Sequence, residues 1–156
     1  MALVATSVVQ SAYTAAAAVA GGSGLQVDDL STLMAVTETH IIPLTSGAVA
    51  PTAATLARFT FPYACVITGA DFGVAVAGTA AGPNQFDIKV AGVSIYTTTP
   101  TIDNTEFTTS TAAIPSVLGA ANLQVVAANT EIQISCVAAA TTSVGANAIL
   151  RLRRTS

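Results

Sequence analysis

Charge is the scarcest commodity in this 156-residue chain: Asp, Glu, Lys and Arg together make 8% of it, against about 25% in a typical globular protein. The net charge is −3, and no basic residue occurs before Arg58. Nothing on such a chain neutralises a run of phosphates, so nucleic-acid binding is not expected. There is no tryptophan, and aromatic residues make only 5%, which leaves no obvious stacking platform for a sugar. His40 is the one histidine. Without a neighbouring Ser/Asp or Cys set it builds no nucleophilic triad, and with only two cysteines it makes no convincing zinc set. No apolar run approaches the roughly 18–20 residues that span a bilayer. Ala15–Ala20 looks like the apolar core of a secretory leader, but Met1–Gly24 has no basic residue before it, so export through a leader is not expected and the chain is expected to stay in the cytoplasm where it is made.

What the chain has is Ala, Val and Thr in quantity, with 52% hydrophobic residues overall. Small apolar and hydroxyl side chains make flat faces that pack closely on other surfaces. With little charge to oppose self-association, the composition fits a subunit largely covered by neighbours, as the charge-depleted centres of interfaces are. A stable stand-alone β domain is the plainer alternative.

From Ala35 onward the apolar period is two. Strands are expected at Ala35–Ile42, Leu56–Phe61, Ala64–Val76, Phe86–Val90, Val93–Thr97, Glu106–Ser110, Leu123–Ala127, Glu131–Ala138 and Ala146–Arg153. Ile132, Ile134 and Cys136 oppose Glu131, Gln133 and Ser135; Leu150 and Leu152 oppose Arg151 and Arg153. Such alternation gives antiparallel sheets with one buried face. Gly, Pro and Asn clusters punctuate the strands, as in Gly82-Pro83-Asn84 and Asp103-Asn104. The expected fold is all-β: an antiparallel, jelly-roll-like sandwich over residues 35–156. Residues 1–34 are expected to form an extended N-terminal arm. Within it, Tyr13–Ala20 offers a short, marginal helix, Gly21–Gly24 a flexible joint, and Val27–Met34 one or two helical turns capped by Asp28 or Asp29. The arm reads either as a disordered tail or as a segment that orders against a neighbouring subunit. Leu3, Val4, Val8, Val9 and Tyr13 are apolar anchors that favour the second.

The block Phe86–Ile102, FDIKVAGVSIYTTTPTI, reads as a hairpin turning at Ala91-Gly92. That register sets Val90 against Val93 and Ile88 against Ile95 on one buried face, with Asp87, Lys89, Ser94 and Tyr96 on the other. Asp87 to Thr98, then Pro100-Thr101-Ile102, Glu131-Ile132-Gln133-Ile134 and the Gly145 turn into a last strand ending at Leu152 follow one another in an order that resembles β-sandwich proteins of tailed-phage virions, above all capsid decoration (cement) proteins. The resemblance spans Phe61 to Leu152. The family's turn is often Asn-Gly; Ala91-Gly92 suits a type I′ turn less well, which leaves room for a longer or bulged connection.

The resemblance implies a structural virion protein, not an enzyme, with no catalytic residue, cofactor or metal to carry over. It implies a decoration protein on the capsid exterior, made in the host cytoplasm, binding the major capsid protein and itself, as a homotrimer by family analogy. The alternative is a tail or fibre component that touches a host receptor. The partner-binding candidates are Leu3, Val4, Val8, Val9 and Tyr13 of the arm, and Arg151, Arg153 and Arg154, the only basic cluster, which reads either as a solvated strand end or as a contact for an acidic partner. Asp103-Asn104-Thr105-Glu106 has oxygen ligands of the kind calcium takes, but a turn opening a strand explains it more simply. Cys65 and Cys136 are expected as buried free thiols, with a disulfide between adjacent strands as the alternative.

Overall fold

The structure, a computed structural model, describes residues 37–79 and 82–155. The arm with its five anchors, and the short helices expected at Tyr13–Ala20 and Val27–Met34, lie outside the described residues. Eleven strands run in chain order: β1 Thr37–Pro43, β2 Ala54–Thr60, β3 Cys65–Gly73, β4 Asn84–Val90, β5 Val93–Ser94, β6 Tyr96–Thr98, β7 Thr101–Ile102, β8 Val117–Leu118, β9 Val125–Val126, β10 Glu131–Ala138 and β11 Asn147–Arg154. All pairings are antiparallel. One sheet has the order β1-β11-β3-β9, the other β2-β10-β4-β5 with β7 added to β4, and β6 and β8 form a separate ribbon. The two sheets pack face to face as an all-β sandwich. No helix among the described residues is long and apolar enough to cross a membrane.

Alternation decides which side chains fill the space between the sheets. Ile132, Ile134 and Cys136 from β10 meet Phe86, Ile88 and Val90 from β4 in register, and Leu150 and Leu152 from β11 lie across from them, all buried. Phe72 of β3 and Phe86 of β4 come from opposite sheets and stack with centroids 4.6 Å apart and planes 3° from parallel. Cys65 and Cys136 are buried free thiols. They belong to β3 and β10, hence to different sheets, and the adjacent-strand disulfide has no geometry here. Burial pushes both thiols up from their ordinary pKa, so neither is a ready nucleophile.

The hairpin keeps its two-residue turn. Ala91 (φ 49°) and Gly92 (φ 83°) are both left-handed, and Val90 pairs Val93, the type I′ arrangement that matches strand twist. Ala91 is therefore the strained member, because an L-residue with a Cβ resists positive φ. Ala91→Asn should raise stability by about 0.5–1 kcal/mol, read as a higher urea midpoint at unchanged slope.

Beyond the turn the expected face breaks down in two places. Val93 sits at the tip and is 54% exposed, so it is not part of the core. At Ile95 the chain leaves β4: its N–H still donates to the Ile88 carbonyl at 2.9 Å, but the next strand, β6, pairs with β8. That break resets the alternation, and Ile95 and Tyr96 are both buried. Asp87 and Ser94 do share the other face, where the Ser94 hydroxyl donates to Asp87 Oδ1 at 2.6 Å.

The strand expected at Glu106–Ser110 is replaced by a 3-10 turn, Thr109–Thr111, capped by the Thr108 side chain. Hydroxyls that bond nearby backbone compete with ladder formation. Thr109 Oγ1 accepts from Phe72 N–H at 3.0 Å, which docks the turn on β3. The strand expected at Leu123–Ala127 shortens to β9, preceded by a second 3-10 turn at Ala121–Gln124. Asn84, the last residue of the Gly-Pro-Asn turn, is buried; its Oδ1 accepts from Ala140 N–H and the Ser143 hydroxyl, both at 2.9 Å. It ties the loop after β10 to the start of β4.

Candidate interaction surfaces

Among the described residues no three His, Cys, Asp or Glu side chains converge as a metal site would require. Asp103 and Glu106 form a turn, with Glu106 N–H donating to the Asp103 carbonyl at 3.1 Å, while Asp103 Oδ2 accepts from Ala113 N–H at 2.9 Å.

The densest polar cluster lies where β1 begins and β11 ends. Alternation along β1 turns Glu38, His40 and Ile42 toward the other sheet and Thr37, Thr39 and Ile41 away from it. At this rim the Glu38 carboxylate is 18% exposed. Tyr63 Oη donates to its Oε2 at 2.5 Å, His40 Nε2 lies 3.0 Å from the same oxygen, and Arg154 Nε donates to Oε1 at 2.5 Å. The Arg154 guanidinium also covers the Tyr63 ring, 3.8 Å from its centroid, a cation–π contact. Phe61 stacks on Tyr63 at 5.5 Å and tilts against His40 at 5.1 Å. The Tyr63 hydrogen bond, then His40 and Arg154, hold the Glu38 carboxyl down at about 2. With both oxygens engaged it is a poor base; the arrangement is a clamp rather than a catalytic set.

The clamp titrates. An unfolded Glu38 binds its proton near 4.5, the folded one near 2, so between these values the unfolded chain holds more protons and stability falls as pH falls. Glu38's contribution is complete above about pH 5 and gone near pH 2. Urea midpoints of the parent and Glu38→Gln should differ at pH 6 and converge toward pH 2; a gap that stays constant would contradict the clamp.

The three arginines read together in the sequence do not lie together. Arg151 and Arg153 point outward from β11, and Arg151 binds Asp71 on β3. Arg153 has no ion-pair partner among the described residues. Arg154 turns to the clamp instead. Around the first two, the outer face of this sheet sets Ile41, 72% exposed, against Ile149, and exposed Val125 against Val66. It is a mixed face of small apolar and hydroxyl groups with one paired arginine, Arg151 on Asp71, and one unpaired among the described residues, Arg153.

Two concavities among the described residues bear on recognition. A groove of about 360 Å³ separates β1 from β2 and is lined by His40–Pro43 on one wall and Ala57, Arg58, Phe59 and Phe61 on the other. Its one local sign is the pair Ile41-Ile42, because consecutive residues of a strand cannot both face the core. A second cleft of about 450 Å³ is lined by Gln85, Thr97, Thr99, Thr101, Asp103 and Ile114 among others, with Gln85 Nε2 donating to Thr99 Oγ1 at 2.5 Å. Its threonines are near neighbours in the sequence, and the β4–β7 pairing sets Gln85 beside them, opposite Thr101.

No model of a known protein family matches the chain, and no curated protein sequence does. Two solved structures are similar in fold. The capsid of Ralstonia phage GP4 aligns at 13% identity with a TM-score of 0.48, covering 78% of this chain and 86% of the other. The Cyanophage Pam1 capsid asymmetric unit aligns at 18% identity with a TM-score of 0.45, covering 77% and 84%.

Proposed function

We propose that this chain is a structural protein of a tailed-phage virion: a decoration protein that binds the major capsid protein on the outer shell, as a homotrimer, and fastens neighbouring capsomers against internal pressure. The observation that carries the reading is the run of family-like elements from Phe61 to Leu152, with the Asp87–Thr98 hairpin at its centre. The charge-poor outer face of the β1-β11-β3-β9 sheet supports it, since exposed Ile41 and Val125 supply apolar area worth about 25 cal/mol per Å² when covered. Arg153, which has no ion-pair partner among the described residues, offers that same face a charge for an acidic partner, while Arg151 is already held by Asp71.

A tail or fibre component that grips a host receptor is the second reading. The threonine-lined cleft favours it, because hydroxyls with Gln85 and Asp103 suit a hydroxyl-rich ligand. Copies per purified particle separate the two. Decoration requires copies in the hundreds and no adsorption of the isolated protein to host cells; a handful of copies with host binding would reverse the assignment. A density map of the intact particle at side-chain detail then fixes the location.

A further inference from the structure

The β1–β2 groove has a property that shell binding does not explain. β1 pairs only with β11, and β2 only with β10, among the described residues. Each is the terminal strand of its sheet, so two rows of unpaired backbone groups border one apolar trough. Proteins usually blunt such edges with Lys, Pro or a bulge. Here Pro43 guards only the far end of β1, and a bulge at Leu56 interrupts β2 only near its start, leaving Ala57–Thr60 regular. Ile41 at the rim is 72% exposed, and the one charge on the β2 wall, Arg58, is held by Glu131 at 3.3 Å.

We infer that this groove receives residues 2–13 of a second copy of the chain as an added strand. Strand addition draws affinity from main-chain hydrogen bonds and specificity from alternate side chains set in pockets. The occupant must then be extended, uncharged and rich in β-forming residues. The chain ahead of β1 has that character: no Asp, Glu, Lys, Arg or His occurs before Asp28, and in an extended segment Leu3, Val9 and Tyr13 share one face with Ser7 while Val4 and Val8 share the other with Thr6 and Gln10. An uncharged segment matches an apolar trough whose single cation is already paired.

Length lets the segment reach a neighbour as well as the chain's own groove, and the charge-poor composition, which leaves self-association unopposed, favours a second copy. Between Tyr13 and Thr37 lie 23 residues including Gly21–Gly24, which reach up to about 75 Å when extended at roughly 3.3 Å each. A compact body of about 120 residues has a radius of gyration near 14 Å, so a second copy is well within that span. The exchange goes beyond the shell-binding reading and needs no capsid.

The test uses the full chain with a benzophenone amino acid in place of Ile41, a position exposed enough to accept it. Equal parts of ¹⁵N-labelled and unlabelled protein are mixed at high concentration and irradiated. The expected product joins position 41 of one isotope to a peptide from residues 2–13 of the other. Val8→Asp with Val9→Asp in the same chain should cut its yield about tenfold or more, the equivalent of about 1.4 kcal/mol, with the β-sheet circular dichroism unchanged. Arm products exclusively of a single isotope, products confined to residues 37–155, no product, or a yield that ignores the two aspartates would each overturn the exchange. Copies per particle are scored separately. Missing cross-links with normal occupancy defeat the exchange alone, and normal cross-links without shell binding defeat the decoration reading alone.

Discussion

Phe86→Ala should cost the β domain about 3–5 kcal/mol. Phe86 is fully buried and stacks on Phe72 from the opposite sheet, so its ring is the tie through the centre of the sandwich. Removing it forfeits the transfer free energy of the ring and leaves a void walled by Ile88, Ile134 and their neighbours. Those walls belong to strands held in register by paired backbone on both sides, β10 between β2 and β4, and cannot move inward independently. Domains of this size are stable by about 5–15 kcal/mol, so the loss is a fifth or more of the total. Urea denaturation reads it as a lower midpoint at unchanged slope. Phe107→Ala is the control: that ring is 56% exposed, and its removal should stay within about 0.5 kcal/mol. A Phe86→Ala loss below about 1 kcal/mol would mean that the core repacks around the gap.

On the decoration reading, removing residues 1–24 should leave the β domain folded while weakening binding to the shell by about a hundredfold or more. The truncation removes the apolar anchors Leu3, Val4, Val8, Val9 and Tyr13 and with them any linkage between subunits, whose loss lowers avidity on a multivalent surface; a hundredfold corresponds to about 3 kcal/mol. Titrating bare particles with full-length and truncated protein, and counting bound copies, gives both curves. Full occupancy by the truncated chain at the same concentrations would sink the role of the arm.

The sandwich was legible because its central strands alternate without interruption. Glu131–Ala138 and the stretch up to Arg153 each put polar residues on one side and Ile, Leu or Cys on the other, and the structure forms both strands within a residue of those limits. Legibility failed where a distant partner decides. Nothing local tells that Ile95 ends its pairing with β4 so that Tyr96 can turn inward toward β8, or that Thr108 caps a turn instead of extending a strand. The arginines failed for the same reason. Arg151, Arg153 and Arg154 are neighbours in sequence, but strand alternation sends Arg154 to the opposite side, where Glu38, more than a hundred residues earlier, awaits it. The groove depends on two strands that are unpaired on one side, and edge position is a property of topology that no window of sequence contains.

The β1–β11 ladder also has a mechanical reading. Thr37 pairs Arg153 and Pro43 pairs Asn147, seven pairs in all, and whatever pulls on the residues before Thr37 pulls β1 along its own axis. If that load is resisted through the face of the sheet, the rungs of the ladder share it in shear and must fail together. If it is resisted at the chain's last residues, beside Thr37, the rungs open one after another like a zip. The same strand is therefore strong or weak according to where its neighbour holds it, and the Arg154–Glu38–Tyr63 clamp sits on the rung that would open first.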